Sequence, residues 1–156
     1  MQKFTLLEAI LAQQVQTKAN FAETMPSEAA KVLATVGVYL QYDLAGEAIA
    51  LLESLLASGM DNAAIRLQLG NLYLQELLVA SPALEHYQQA MQFIAVENWE
   101  DRSQIEEGLG LVYVSLKNKD EAILWLTRAR SSYEELGDSQ RARELSQKIT
   151  EISEGN

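Results

Sequence analysis

Along most of the chain, apolar side chains recur three and four positions apart, the interval that places them on one face of an α-helix. Phe4, Leu7, Leu11 and Val15 form one such stripe, with Leu6 and Ile10 beside it, and predict a first helix over about residues 4–18. Asn20 to Ser27 reads as a linker, and Pro26-Ser27 as a helix start before Glu28. From there the predicted helices pair: about 28–41 with 44–58, 62–77 with 82–95, and 100–116 with 119–136. An eighth, about 139–153, carries Ala142, Leu145, Ile149 and Ile152 on one narrow stripe and charge elsewhere, the profile of a helix that closes a stack. The breaks have their own chemistry. Asp43 can cap the helix after it, Ser81-Pro82 sets a cap before a proline whose missing N–H costs nothing in a first turn, and Asn118 with Glu121 approximates a capping box. Gly59 and Gly137 stand where helices end.

A short signature recurs inside the first helix of each pair: Val36-Gly37 with Tyr39, Leu69-Gly70 with Tyr73, and Leu109-Gly110 with Tyr113. The glycines are 33 and then 40 residues apart, a period that belongs to stacked helical repeats. A glycine inside a helix costs about 0.5–1 kcal/mol relative to alanine. Three in register therefore imply that a side chain there would obstruct a neighbouring helix. The second helices answer with small residues, Ala48, Ala83 with Ala90, and Ala122 with Ala129, and with large ones, Leu52, Tyr87 and Leu126, each four positions after its alanine.

In this pattern the chain resembles the tetratricopeptide repeat, whose units carry a leucine–glycine pair and an aromatic on the first helix, then small–large–small on the second. The copy at Gly110 matches best; the copy at Gly70 has one extra residue in its turn. In the copy at Gly37, Tyr39 comes one residue early, leaving Leu40 at the aromatic place, and Leu55 replaces the second alanine. The resemblance implies an all-α, right-handed solenoid. It would comprise an N-terminal helix and linker (1–27), three hairpins (28–60, 61–98, 99–137) and a C-terminal capping helix and tail (138–156). The 40-residue interval implies longer helices or an insertion around Ile94 to Arg102.

The resemblance also implies that the first helices line a concave groove. Its inward positions would be Lys31, Ala34, Val38 and Gln41, then Ala64, Leu67, Asn71 and Leu74, then Gln104, Glu107, Leu111 and Val114, a mostly apolar set. Relatives that clamp a chaperone's terminal carboxylate need Lys, Arg and Asn at set places, where this chain has Ala34, Val38, Gln68, Gln104 and Gly108, so that ligand is not expected. Asn71 stands where the family often holds a bound peptide's backbone, although an ordinary helix-packed asparagine fits the position equally. The implied function is a non-catalytic protein-interaction module, an adaptor or scaffold, taking a peptide or an amphipathic helix with apolar anchors. The Phe4–Val15 stripe leaves three uses open: covering the first hairpin, lying in the groove, or pairing with a second copy. The last would make the chain a self-associating scaffold and a homodimer.

Composition narrows the partners. Twenty-two acidic against twelve basic residues give a net charge of −10, which disfavours phosphate-rich nucleic acid and an anionic membrane surface. There is no cysteine, hence no disulfide framework or thiolate metal site, which suits a reducing, cytoplasmic setting. No run approaches a transmembrane span, and Glu8 interrupts the only N-terminal apolar stretch. His86 is the single histidine, so a two-histidine metal site is excluded, and no nucleophile or phosphate-loop motif is present. No cofactor is expected. Glu106-Glu107 and Glu134-Glu135 read as solvated charge, and Trp99 and Trp125 as core or joint residues that could also anchor a partner.

Overall fold

The computed structural model describes residue 13 and residues 28–155; the predicted helix over 4–18 lies outside them. The described chain is helical throughout its regular elements: α1 (Glu28–Gln41), α2 (Ala45–Ala57), α3 (Ala63–Asn71), α4 (Ala80–Phe93), α5 (Trp99–Ser115), α6 (Lys119–Leu136) and α7 (Ser139–Glu154). It divides into two compact units at Met60 and Asp61. In the first, α1 packs on α2, and Val32, Val36, Ala48, Ile49 and Leu52 are buried.

In the second unit, α3 pairs with α4 and α5 with α6, α4 packs on α5, and α7 closes the stack on α6. These are the stacked hairpins that the repeat pattern implies. One core joins Leu67, Leu74, Ala83, Tyr87, Ala90, Ile105, Leu109 and Val112; a second joins Leu126, Ala129, Tyr133, Ala142 and Leu145. The 40-residue interval from Gly70 to Gly110 resolves into both expected causes, since α5 begins eleven positions before Gly110 where α3 begins seven before Gly70, and Ile94 to Asn98 forms the link ahead of α5.

All three hairpins turn in the same way. A non-glycine residue adopts a left-handed backbone at each turn, Asp43 (φ 59°), Leu78 (φ 55°) and Lys117 (φ 58°). The next residue's N–H closes back onto the signature tyrosine: Leu44 to Tyr39 at 2.9 Å, Val79 to Tyr73 at 2.8 Å, Asn118 to Tyr113 at 2.9 Å. The first and third are the six-to-one closure of a helix C-terminus, and the second spans one residue more. Asp43 thus serves by its backbone; Leu44 precedes α2 without a side-chain cap, a correction to the expected role of Asp43. Ser81-Pro82 likewise falls inside the first turn of α4, with Val79 before it. Asn118 does cap α6, accepting from the Glu121 N–H at 3.3 Å. Gly59 and Gly137 adopt φ of 91° and 85° at helix ends, a region that costs a residue with a Cβ.

Two irregularities in the repeat have structural counterparts. The extra residue of the second copy is absorbed before the turn, as a π-helical turn over Leu72–Glu76 closed by the Leu77 N–H on the Leu72 carbonyl. The early Tyr39 is regular when counted from the turn; the displaced residue is Gly37. Ala48, Ala83 and Ala122 each follow their left-handed residue by five positions, but the count that leads from Lys117 back to Gly110 leads from Asp43 back to Val36. A Cβ on Gly37 would meet no described atom within 4 Å, so the packing reason expected for all three glycines holds for Gly70 and Gly110 and not for Gly37.

Candidate functional site

The first helices α3, α5 and α7 share one face of the second unit, with α5 in the middle. Tyr87, on α4, reaches this face between α3 and α5 because two residues there lack side chains. A Cβ on Gly70 would lie 2.8 Å from its ring, and one on Gly108 would overlap it. The ring is fully buried, and its hydroxyl donates to Asn71 Oδ1 at 2.7 Å. Burial, and secondarily the negative charge of Glu107, pushes the phenol well above its usual range. With Oδ1 so occupied, the Asn71 amide keeps its two N–H donors for the cavity it lines.

Glu107 is 7% exposed and fully engaged. Its Oε2 accepts from the Tyr133 hydroxyl at 2.8 Å and from Arg141 Nε at 3.1 Å, while Oε1 accepts from Arg141 Nη2. Arg141 also reaches Glu144 at 2.5 Å. Burial raises the Tyr133 phenol to about 12, with the Glu107 carboxylate adding to the effect. For Arg141 burial works in the opposite sense and is outweighed by the hydrogen bonds to Glu107 and Glu144, so its guanidinium is held charged. Glu106, also buried, accepts from Arg102 at 3.0 Å and from the Ser132 hydroxyl at 2.6 Å. The expectation that Glu106 and Glu107 are solvated is therefore wrong for both. They fall on the buried side of α5, and each is neutralised by an arginine and a hydroxyl.

The face holds two cavities joined by α5. The first, about 180 Å³, is lined by Asn71, Gln75, Gln104, Glu107, Leu111 and Arg141, with Tyr87, Gly108 and Tyr133 behind them. The second, about 440 Å³, lies toward the hairpin turn between Tyr113, Val114, Lys117, Lys119, Ala122, Ile152 and Gly155. Glu107, Leu111 and Val114 run four and three positions apart along α5 and connect the two.

Of the groove positions named from sequence, Asn71, Glu107 and Leu111 meet at the first cavity and Val114 at the second. Leu67 and Leu74 do not reach either; they are buried in the core between helices. Lys31, Ala34 and Val38 belong to the first unit, where each is half-buried. The expected apolar groove is thus, at its first cavity, a face of amides around an ion pair. Sequence reasoning passed over Gln75, Tyr133 and Arg141. A signal was present: two carboxylates inside the most apolar stretch of α5, Ile105 to Val112, require buried partners, and Ser132-Tyr133 on the next helix and Arg141 on the last can supply them.

A larger cleft, about 590 Å³, lies between Val96, Trp99, Arg102, Arg128 and Glu135, with Glu106 and Ser132 in its wall. Its main groups are already paired: Arg102 holds Glu106 and stands 5.8 Å from the Trp99 ring, and Arg128 lies 4.7 Å over Trp125. Both tryptophans are half-buried, as joint residues are. Among the described residues, no group of three or more His, Asp and Glu side chains could hold a metal ion, and no helix is long and apolar enough to cross a membrane.

No protein-family model matches the chain, and no curated protein matches it. Among solved structures it is similar to YrrB, described as a TPR protein with an unusual peptide-binding site, at 20% identity over 97% of this chain and 84% of that one, with a TM-score of 0.48.

Proposed function

We propose that the chain is a non-catalytic protein-interaction module that takes an extended segment of a partner polypeptide along the α3–α5–α7 face. The observation that carries this reading is the set of neutral amides, Asn71, Gln75 and Gln104, around a cavity whose charges are internally cancelled. An extended backbone has N–H and C=O groups unmet by its own chain, and side-chain amides both donate and accept. An amphipathic helix has its backbone satisfied and gains little from such a lining, so the polar cavity favours the extended form. Glu106 and Glu107 have both oxygens engaged, which suits a structural role better than proton transfer. The chain then acts as an adaptor or scaffold through its partner.

Affinity capture from source-cell lysate with the wild type, Leu111→Glu and Gln104→Arg tests this. Gln104 is exposed, so its variant keeps the fold and isolates the face. Both variants should lose partners that the wild type retains. Equal recovery by all three proteins contradicts the reading.

A further inference from the structure

The second cavity differs from the first in a way that specifies a ligand. Its walls are Tyr113, Val114, Ala122 and Ile152, and Val114 is 41% exposed despite being apolar. Its charged lining residues are Lys117 and Lys119, and no carboxylate is among them, on a chain whose net charge is −10. Lys119 is committed, donating to the carbonyls of Ser153 at 2.9 Å and Gly155 at 3.2 Å, and so tying off the C-terminal end of α7. Lys117 is exposed and makes no ion pair within 4 Å with Asp or Glu among the described residues. Its left-handed backbone fixes it at the turn that rims the cavity.

We propose that this cavity seats an apolar side chain of the bound segment and that Lys117 pairs with an acidic residue beside it. The ligand is then a peptide with an apolar anchor flanked by Asp or Glu, its backbone continuing over the amides of the first cavity. This rests on the peptide-binding reading above and adds a side-chain requirement to it. Gly108 and Val114 are six positions apart on α5, a rise of about 9 Å, which an extended peptide crosses in about three residues.

Selection from a random-peptide display library on the wild-type protein tests both levels. Recovered peptides should share an apolar residue next to Asp or Glu. Lys117→Asp should change the flanking preference to Lys or Arg, and should weaken a synthetic wild-type-selected peptide by about three- to tenfold. Asp is the substitution of choice because Asp43 already holds the same left-handed conformation at the corresponding turn. Val114→Glu should lose the apolar preference. Peptides that bind, that are lost on Gln104→Arg, and that ignore both Lys117→Asp and Val114→Glu would overturn this inference while leaving the groove reading intact. Failure of the library to yield any binder would overturn both.

Discussion

Tyr87 fills the space that Gly70 and Gly108 leave, and Leu126 fills the space beside Gly110, where an added Cβ would lie 2.5 Å from its Cδ2 and 3.2 Å from its backbone nitrogen. A rigid ring and a buried backbone cannot move aside cheaply. Gly108→Ala and Gly110→Ala should each destabilise by about 1–3 kcal/mol. Gly37→Ala has open space instead and should stabilise by about 0.5–1 kcal/mol through helix propensity. Urea midpoints of the three variants give the signs directly. Repeat spacing alone made Gly37, Gly70 and Gly110 look equivalent; counting from the left-handed turn residue separates Gly37 from Gly110, and that conformation is invisible in a sequence that places Asp, Leu and Lys there. Tyr133 gives a prediction in pH. Its phenol is raised to about 12 in the folded chain from an unfolded value of 10, so the neutral form is favoured by folding. The corresponding stability is present below pH 10 and lost as pH rises toward 12. Tyr133→Phe should lower stability by about 1 kcal/mol at neutral pH, and stability measured against pH should fall less steeply above pH 10 than in the wild type.

At the scale of elements, α7 is held by an apolar stripe and one buried carboxylate. Ala142 and Leu145 enter the second core, while Arg141 reaches Glu107 on α5. Arg141→Ala leaves Glu107 buried with only the Tyr133 hydroxyl, which should cost on the order of 2–3 kcal/mol. Hydrogen exchange should show the loss first in the amides of α7; unchanged protection there would mean the stripe alone suffices. The π-helical turn over Leu72–Glu76 makes a second prediction. Deleting Glu76, which is exposed, gives this hairpin the same tyrosine-to-turn count as the one at Tyr113. The deletion should change stability by less than about 1 kcal/mol, where deletion of a residue inside α5 would unfold the unit. Helix pairing, lengths and the closing role of α7 were legible because periodicity and end-signals acted together. The location of the extra residue was not, since a π turn and a longer loop read alike in sequence. Nor was the polarity of the face, because inward positions assigned by analogy placed Leu67 and Leu74 in a groove although the packing of α3 on α4 and α5 buries them.

At the scale of the whole molecule, the proposed function rests on a face whose charges are internally paired, on a chain of net charge −10. In that proposal the amides of the first cavity take the backbone of an extended segment, and Lys117 adds selectivity at one end. The larger cleft at Trp99 and Arg128 is the physical rival to that face. The direct test is to titrate the isotopically labelled protein with a display-selected peptide and map the shifted resonances by NMR. The account predicts that shifts cluster on Asn71, Gln75, Gln104, Leu111, Val114 and Lys117. Shifts confined instead to Val96, Trp99, Arg128 and Glu135 would contradict it.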